Sequence, residues 1–328
     1  MNAPMPAAQT LEFRLLNEFQ RDFPIVPAPF AEIAARLGSD EETVLATLSR
    51  QLAEGAISRV GAVFAPRAVG ASTLAAMAVP RERLDEVAAL VSARQGVNHN
   101  YEREHRYNLW FVATAPDEES LDALLDELAA TTGCPPIALP LVEEFHIDLG
   151  FDLLHGDKVR RGARRCERRP TSAQDRRLIA ALQPGLPLVS RPFAQLADAL
   201  GMQESALAER LAEWLDDGCI KRFGVVVRHH ELGYRANAMV VFDVPDDEVS
   251  VVGQRLAGEP GVTLCYRRER HLPHWRHNLF CMVHGRSRDE VAPVIERLSR
   301  VAGHPCAALF SLRRFKQCGA KYFDASGN

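Results

Sequence analysis

Several classes of protein are excluded by what this 328-residue chain does not contain. The N-terminal stretch MNAPMPAAQT has neither the basic start nor the apolar run of an export signal, and no segment approaches the roughly 20 apolar residues of a membrane span. The expectation is a cytoplasmic protein without a membrane partner. Seven cysteines, an odd number, include no Cys-x-x-Cys pair, so neither a disulfide framework nor a zinc site is favoured, and Cys265 reads as a buried structural thiol. A formal net charge of -4 gives no overall attraction to nucleic acid, so any anion must be held by a local patch. With 47% hydrophobic and 25% charged residues, the composition is that of an ordinary folded protein.

What the chain does contain is a duplication. Pro29 to Val63 aligns with Pro192 to Val226 at a constant offset of 163, with 14 identities in 35 ungapped positions. Each copy reads Pro-Phe-Ala, an apolar helix ending in Leu-Gly, a second helix, and Gly-x-Ile-x-Arg-x-Gly. Val44, Leu45, Leu48 and Leu52, and likewise Leu207, Leu211 and Leu215, recur at helical spacing and predict one packed face on each second helix. An earlier helix in each copy, Leu11 to Phe19 and Asp175 to Leu182, completes a winged helix-turn-helix.

A second doubled segment follows: GVNHNYEREHRYNLWF from Gly96 and GVTLCYRRERHLPHWRHNLF from Gly261. Alternation into a bulky apolar run predicts strand, turn, strand, with the charge at the bend. Five of the eleven histidines and two of the three tryptophans lie in these two hairpins. A cationic, aromatic hairpin made twice suggests a large, flat, anionic ligand held between two halves. With the flanking strands and amphipathic helices, each half reads strand, helix, strand, strand, helix, strand. The expected fold class is α+β: two tandem repeats, each a winged helix-turn-helix followed by a ferredoxin-like domain, forming an internal pseudo-dimer. The expected boundaries are 1–68 and 69–155 for the first repeat, a basic linker at 156–172, then 173–232 and 233–328.

A winged helix followed by a ferredoxin-like domain resembles the Lrp/AsnC regulators over nearly all of each half, which would imply DNA binding through the second helix. That helix is acidic in both copies. Asp40, Glu41, Glu42 and Glu54 face Arg50 alone, and Glu204, Glu209, Glu213, Asp216 and Asp217 face Arg210 alone, a charge that phosphates would repel. No nucleic acid partner is expected. The hairpins resemble instead those of the siroheme decarboxylases, Lrp-like enzymes of the heme d1 and alternative heme pathways. One subunit type of that family carries a segment much like Asn98 to Phe111, and its partner carries SHCYxRxxxxPxWxxNLFxMxHG, matched here by Thr263 to Gly285, so the chain resembles both subunits fused. Leu264 stands where the second motif has histidine, opposite His99 in the repeat.

The resemblance implies loss of CO2 from two acetate side chains of siroheme, giving 12,18-didecarboxysiroheme. No organic cofactor or separate metal is implied, because the substrate brings its own iron and electron sink. A tandem regulator and a non-catalytic heme or siroheme carrier are the alternatives, and a homodimer of the fused chain is the possible assembly. Arginine suits a substrate with eight carboxylates, being permanently charged and bidentate. Arg59 and Arg222 from the repeated turn, with Arg103, Arg106, Arg267, Arg268, Arg270 and Arg276 from the hairpins, are the candidates. Decarboxylation at a pyrrole acetate needs a proton donor of near-neutral pKa, so His99 and His271, then His105 and His277, are the candidate acids, with His99 or His271 a possible axial ligand to the substrate iron. Tyr101 and Tyr266, Asn108, His274 and Trp275 complete the expected substrate-binding set, and Asn278 occupies the position equivalent to Asn108. Trp275 lies in a five-residue insertion, with Pro273, that either closes over the ligand or is an idle excursion.

Overall fold

The computed structural model describes residues 10–65, 68–147, 172–227, 236–324 and 327. In the first repeat, α1 (Leu11–Glu18), α2 (Pro29–Leu37) and α3 (Glu41–Ala53) lead into β1 (Ile57–Phe64). A ferredoxin-like unit follows as β2 (Ala71–Met77), α4 (Leu84–Ala93), β3 (Val97–Arg103), β4 (Leu109–Ala115), α5 (Glu118–Thr132) and β5 (Ile137–Ile147). The second repeat has α6 (Ala173–Leu182), α7 (Pro192–Leu200), α8 (Glu204–Asp216) and β6 (Ile220–Val227). Its ferredoxin-like unit is β7 (Ala236–Phe242), α9 (Val249–Ala257), β8 (Val262–Arg268), β9 (Leu279–Gly285), α10 (Arg288–Ala302) and β10 (Cys306–Gln317). The arginine-rich linker expected at 156–172 lies outside the described residues except for Ser172.

The same local signals end the same elements in both copies. Proline opens α2 and α7, where no N–H is needed, and Gly38 and Gly201 close them in the left-handed conformation, at φ 66° and 64°. Asp40 caps α3 by accepting from the Thr43 N–H at 2.8 Å, and Ser172 with Asp175 forms a capping box on α6. The buried stripes on the second helices differ slightly from the apolar spacing. They run Val44, Leu48, Gln51 and Leu207, Leu211, Trp214, while Leu52 is exposed and Leu215 half-buried. Stepping by four and then three keeps both stripes over the core, and Gln51 tolerates its buried place because its amide donates to Glu12.

Each ferredoxin-like unit forms a four-stranded antiparallel sheet, ordered β3-β4-β2-β5 in one and β8-β9-β7-β10 in the other. The last strands are long enough to serve both sheets. β5 pairs with β2 through Ile137–Pro140 and with β8 through Leu141–Ile147, and β10 pairs with β7 through Cys306–Phe310 and with β3 through Ser311–Gln317. The helices cover the outer faces, with α4 and α5 on one apolar layer and α9 and α10 on the other. The inner faces meet over a third layer that includes Trp110, Trp275, Phe280 and Leu309. The strand after each helix-turn-helix pairs with its counterpart: β1 and β6 form a two-stranded antiparallel ribbon with Gly61 opposite Gly224, and the two helical units share one core. Both halves therefore join along two separate surfaces.

Candidate functional site

Between the inner faces of the sheets and the β1–β6 ribbon lies a cavity of about 530 Å³. Strand alternation aims its walls. His99, Tyr101 and Arg103 on β3 share the inner face, while Asn100 between them points outward and donates to the Ala88 carbonyl at 3.1 Å. On β8 the same register places Leu264, Tyr266 and Arg268 along the opposite wall.

Of the six arginines that line the cavity, four form two matched pairs. Arg59 donates to the Ala62 carbonyl at 3.0 Å and Arg222 to the Val225 carbonyl at 3.1 Å, the same contact 163 residues apart. Arg103 donates to the Leu309 carbonyl at 2.9 Å and Arg268 to the Leu139 carbonyl at 2.7 Å, again one contact in two copies. Arg103 and Arg268 lie beside the rings of Tyr101 and Tyr266, at 5.8 and 4.7 Å from the centroids. Among the described residues neither Arg59 nor Arg103 has a carboxylate partner, and the Nε of each is buried without an acceptor. Burial lowers the pKa of both, that of Arg103 to about 10. A buried cation without a counter-ion is costly, so Arg59 and Arg103, beside Arg222 and Arg268, give the cavity the chemistry to take an anion with several carboxylates.

The rest of the cavity is not symmetric. His99 has Leu264 as its counterpart, and Arg313 and Arg314 on β10 have as counterparts Glu143 and Glu144 on β5, which do not line the cavity; Arg313 is paired with Asp85 and Glu102. Glu144 is neutralised by Lys221 at 2.7 Å, and Glu143 accepts from the Ser250 hydroxyl at 2.7 Å. His99 keeps some surface, but that surface faces the cavity rather than bulk water. Desolvation, helped by the nearby Arg59 charge, lowers its pKa to about 4, so the imidazole is neutral at neutral pH. Burial raises the pKa of Tyr101.

Of the expected residues, the structure brings His99, Tyr101, Arg59, Arg103, Arg222, Tyr266 and Arg268 together around this cavity. It does not bring His105, Asn108, Arg267, His271, His274, Trp275 or His277 to it. Asn108 accepts from the Val79 N–H and donates to the Val79 carbonyl, and Asn278 does the same with Val244, so both amides fasten neighbouring strands. Arg267 pairs with Asp246 at 3.1 Å. The insertion turns inward at one point only: Trp275, 2% exposed, enters the inter-sheet core 5.0 Å from Trp110. It is a plug behind the cavity wall, with His105 and His277 against its ring at 5.3 and 4.9 Å. His271 and His274 belong to the turn that carries it, His271 exchanging backbone hydrogen bonds with Trp275. Arg270 and Arg276 tie this turn to Asp243, and Arg106 is exposed. His284, Asn98, Asn237 and Gln317 line the cavity without having been singled out. The histidine of the Met-x-His-Gly end of the second hairpin was the available signal for His284.

Two helix-turn-helix units, each joined to a ferredoxin-like domain and closed on one arginine-lined cavity, define a two-repeat protein of the AsnC-like ligand-binding class. The AsnC-like ligand binding domain matches residues 68–146 and 231–316. The siroheme decarboxylase NirDL-like HTH domain matches residues 12–57 and 175–220. The siroheme decarboxylase NirDL subunit of Paracoccus pantotrophus is 46% identical over 314 residues, covering 94% of this chain and 96% of that one. The separate NirL and NirD subunits of Stutzerimonas stutzeri are 45% and 50% identical over 152 and 143 residues, 45% and 44% of this chain and 89% and 94% of their own. The crystal structure of a siroheme decarboxylase NirDL in complex with an iron-uroporphyrin III analogue superposes with a TM-score of 0.72 at 32% identity, covering 96% of each chain. This chain belongs to the siroheme decarboxylase family, with the two subunit types fused.

Proposed function

We propose that the protein is a siroheme decarboxylase, a carboxy-lyase that converts two acetate side chains of siroheme to methyl groups with release of CO2. The observation that carries this reading is the cavity's set of buried arginines, two of them, Arg59 and Arg103, without a carboxylate partner among the described residues. The matched arginines hold the carboxylates that remain, with Tyr101 and Tyr266 presenting rings to the macrocycle. The iron arrives with the substrate. In each step the bond between the acetate methylene and its carboxylate breaks, CO2 leaves, and the electron pair passes into the ring system. A proton then completes the methyl group, so that R–CH2–COO⁻ and H⁺ give R–CH3 and CO2. His99 supplies this proton. Burial and the Arg59 charge hold its pKa at about 4. A bound polycarboxylate neutralises Arg59 and adds negative charge, both of which favour the imidazolium. The carboxylates of the substrate therefore shift His99 back toward its charged form, against the desolvation that is the larger cause of its low pKa.

Anaerobic incubation with siroheme followed by mass spectrometry of the tetrapyrrole tests this. Loss of two CO2 is the expected result. An unchanged mass with a shifted absorbance spectrum replaces the enzyme with a carrier, and no spectral change leaves neither. Proton release or uptake on binding adds a check: calorimetric titration at pH 6 in buffers of different ionisation enthalpy is expected to show uptake.

A further inference from the structure

The arginine frame of the cavity is doubled, but the residues beside it on the ribbon are not. At the constant offset of 163, Ser58 on β1 and Lys221 on β6 are counterparts, and both line the cavity next to a matched arginine. The last strands differ in the complementary sense. Arg314 on β10 lies opposite Tyr101 in the register with β3, and Glu144 on β5 lies opposite Tyr266 in the register with β8. Arg314 lines the cavity and Glu144 does not, yet Glu144 accepts from the Lys221 Nζ at 2.7 Å, with the lysine and glutamate side chains 20% and 18% exposed. One half therefore has a hydroxyl and a cation at this station. The other has a cation whose charge a carboxylate behind the wall has already met.

We propose, resting on the siroheme decarboxylase function, that Glu144 is a specificity-determining residue: it stands in for a ligand carboxylate at Lys221 and lowers the cavity's grip on a polycarboxylate at that station. A lysine bound to one carboxylate must release it before holding another, so a ligand gains little from the exchange. The reaction gives such a brake its use. Loss of two CO2 still leaves six carboxylates on the ring, and a cavity that met each of them with an unpaired cation would retain its product. Arg59 and Arg103 have no carboxylate of the protein's own among the described residues, so their charge is offered to the ligand in full. Lys221 is a cation of the same cavity whose charge the protein withholds. Glu144 does this from outside the lining, and so takes no space from the macrocycle.

Absorbance titration of the full-length protein with iron uroporphyrin, which carries eight carboxylates, tests this. Glu144→Gln is expected to bind the probe about tenfold more tightly, the lower end for a charge-assisted hydrogen bond because the station keeps some exposure. Glu144→Gln combined with Lys221→Met removes both charges, and its affinity is expected to return to within about twofold of the wild type. With siroheme under anaerobic conditions, inhibition by the doubly decarboxylated product is expected to strengthen in Glu144→Gln by a similar factor. Equal or weaker binding of iron uroporphyrin by Glu144→Gln overturns the proposal, because a merely structural ion pair loses affinity when it is broken. A double variant as tight as the single one also overturns it, since the gain would not pass through Lys221. Unchanged product inhibition removes the role in release and overturns it likewise. A wild-type protein that binds iron uroporphyrin but releases no CO2 from siroheme sinks the underlying function instead, and the titrations still read whether Glu144 restrains Lys221.

Discussion

At Arg103 stability and the proposed ligand binding pull in opposite directions. The residue is 6% exposed, and its guanidinium holds one backbone carbonyl and has no carboxylate partner among the described residues. Replacing an uncompensated buried charge with an apolar side chain of similar length commonly stabilises a fold. Arg103→Met is therefore expected to keep or raise the melting temperature while raising KM for siroheme about 10- to 100-fold, the effect of losing about 1.5–3 kcal/mol of charge-assisted hydrogen bonding. A fall in melting temperature with KM unchanged would make Arg103 a purely structural residue. His99 sets a pH dependence. Its pKa is about 4 in the folded protein against an unperturbed value of 6.5, so between those values the unfolded chain binds a proton that the folded one does not. Stability is thus unaffected by His99 above pH 6.5 and falls as the pH drops toward 4, by on the order of 3 kcal/mol in total. In urea unfolding, His99→Leu is expected to remove that part of the acid sensitivity, leaving the parallel contributions of His105 and His277, whose pKa values burial also lowers. The hairpin sequence made His99, Tyr101 and Arg103 legible together because alternate residues share a face. It did not show which end of the hairpin lines the cavity. The charge is gathered at the bend, whereas the cavity is lined by His99, Tyr101 and Arg103 on the strand, and His105 and His277 at the bend pack on Trp275.

The elements that complete the site act by crossing between sheets. β10 leaves β7 at Phe310 and carries Arg313 and Arg314 to β3, after which Cys318 donates its N–H to the Asn98 carbonyl at 2.8 Å. The chain then runs past Arg59 and places Tyr322 and Phe323 in the core of the helical units, where the Gln183 amide holds their backbone. Gly319 is the tight point of this strap. A Cβ there would lie 2.7 Å from the Arg59 Nη1, the mobile end of a flexible side chain, and no strained backbone angle compounds the clash. Gly319→Ala is therefore expected to displace Arg59 at little cost to stability. The melting temperature should move by no more than about 2 °C, while KM for siroheme rises several-fold with kcat nearly unchanged, the signature of lost ground-state binding. A drop in kcat at constant KM would show that Arg59 acts in the transition state instead. Helices, caps and hairpins were legible from local signals. The crossing of β5 and β10 was not, because partner choice between two sheets of like sequence depends on strand length and on which inner face is buried, neither of which is encoded in a local period. The Trp275 insertion was ambiguous for the same reason: only the packed layer shows that its tryptophan fills space behind the cavity.

The whole molecule is a dimer written in one chain, and its halves depend on each other at every level. β5 gives Leu141–Ile147 to the second sheet, β10 gives Ser311–Gln317 to the first, β1 pairs with β6, and the helical units share one core. Removing either half leaves a sheet edge of unpaired backbone groups and exposes the apolar layer that contains Trp110 and Trp275. The duplication announced this arrangement in the sequence, and Leu264 against His99 and Glu143–Glu144 against Arg313–Arg314 mark where the two halves differ. If noncovalent pairing rather than the connection holds the site together, residues 1–155 and 173–328 produced as two chains in one cell should co-purify as a 1:1 complex. That complex should decarboxylate siroheme within about threefold of the intact chain, because all four arginines keep their carbonyl partners within it. Either piece alone should aggregate or self-associate. The first lacks β10 beside β3, and the second lacks β5 beside β8. Size-exclusion chromatography with light scattering reads the stoichiometry, and tetrapyrrole mass spectrometry reads the activity. A stable, monomeric and active single piece would show that the cavity is not shared between the halves.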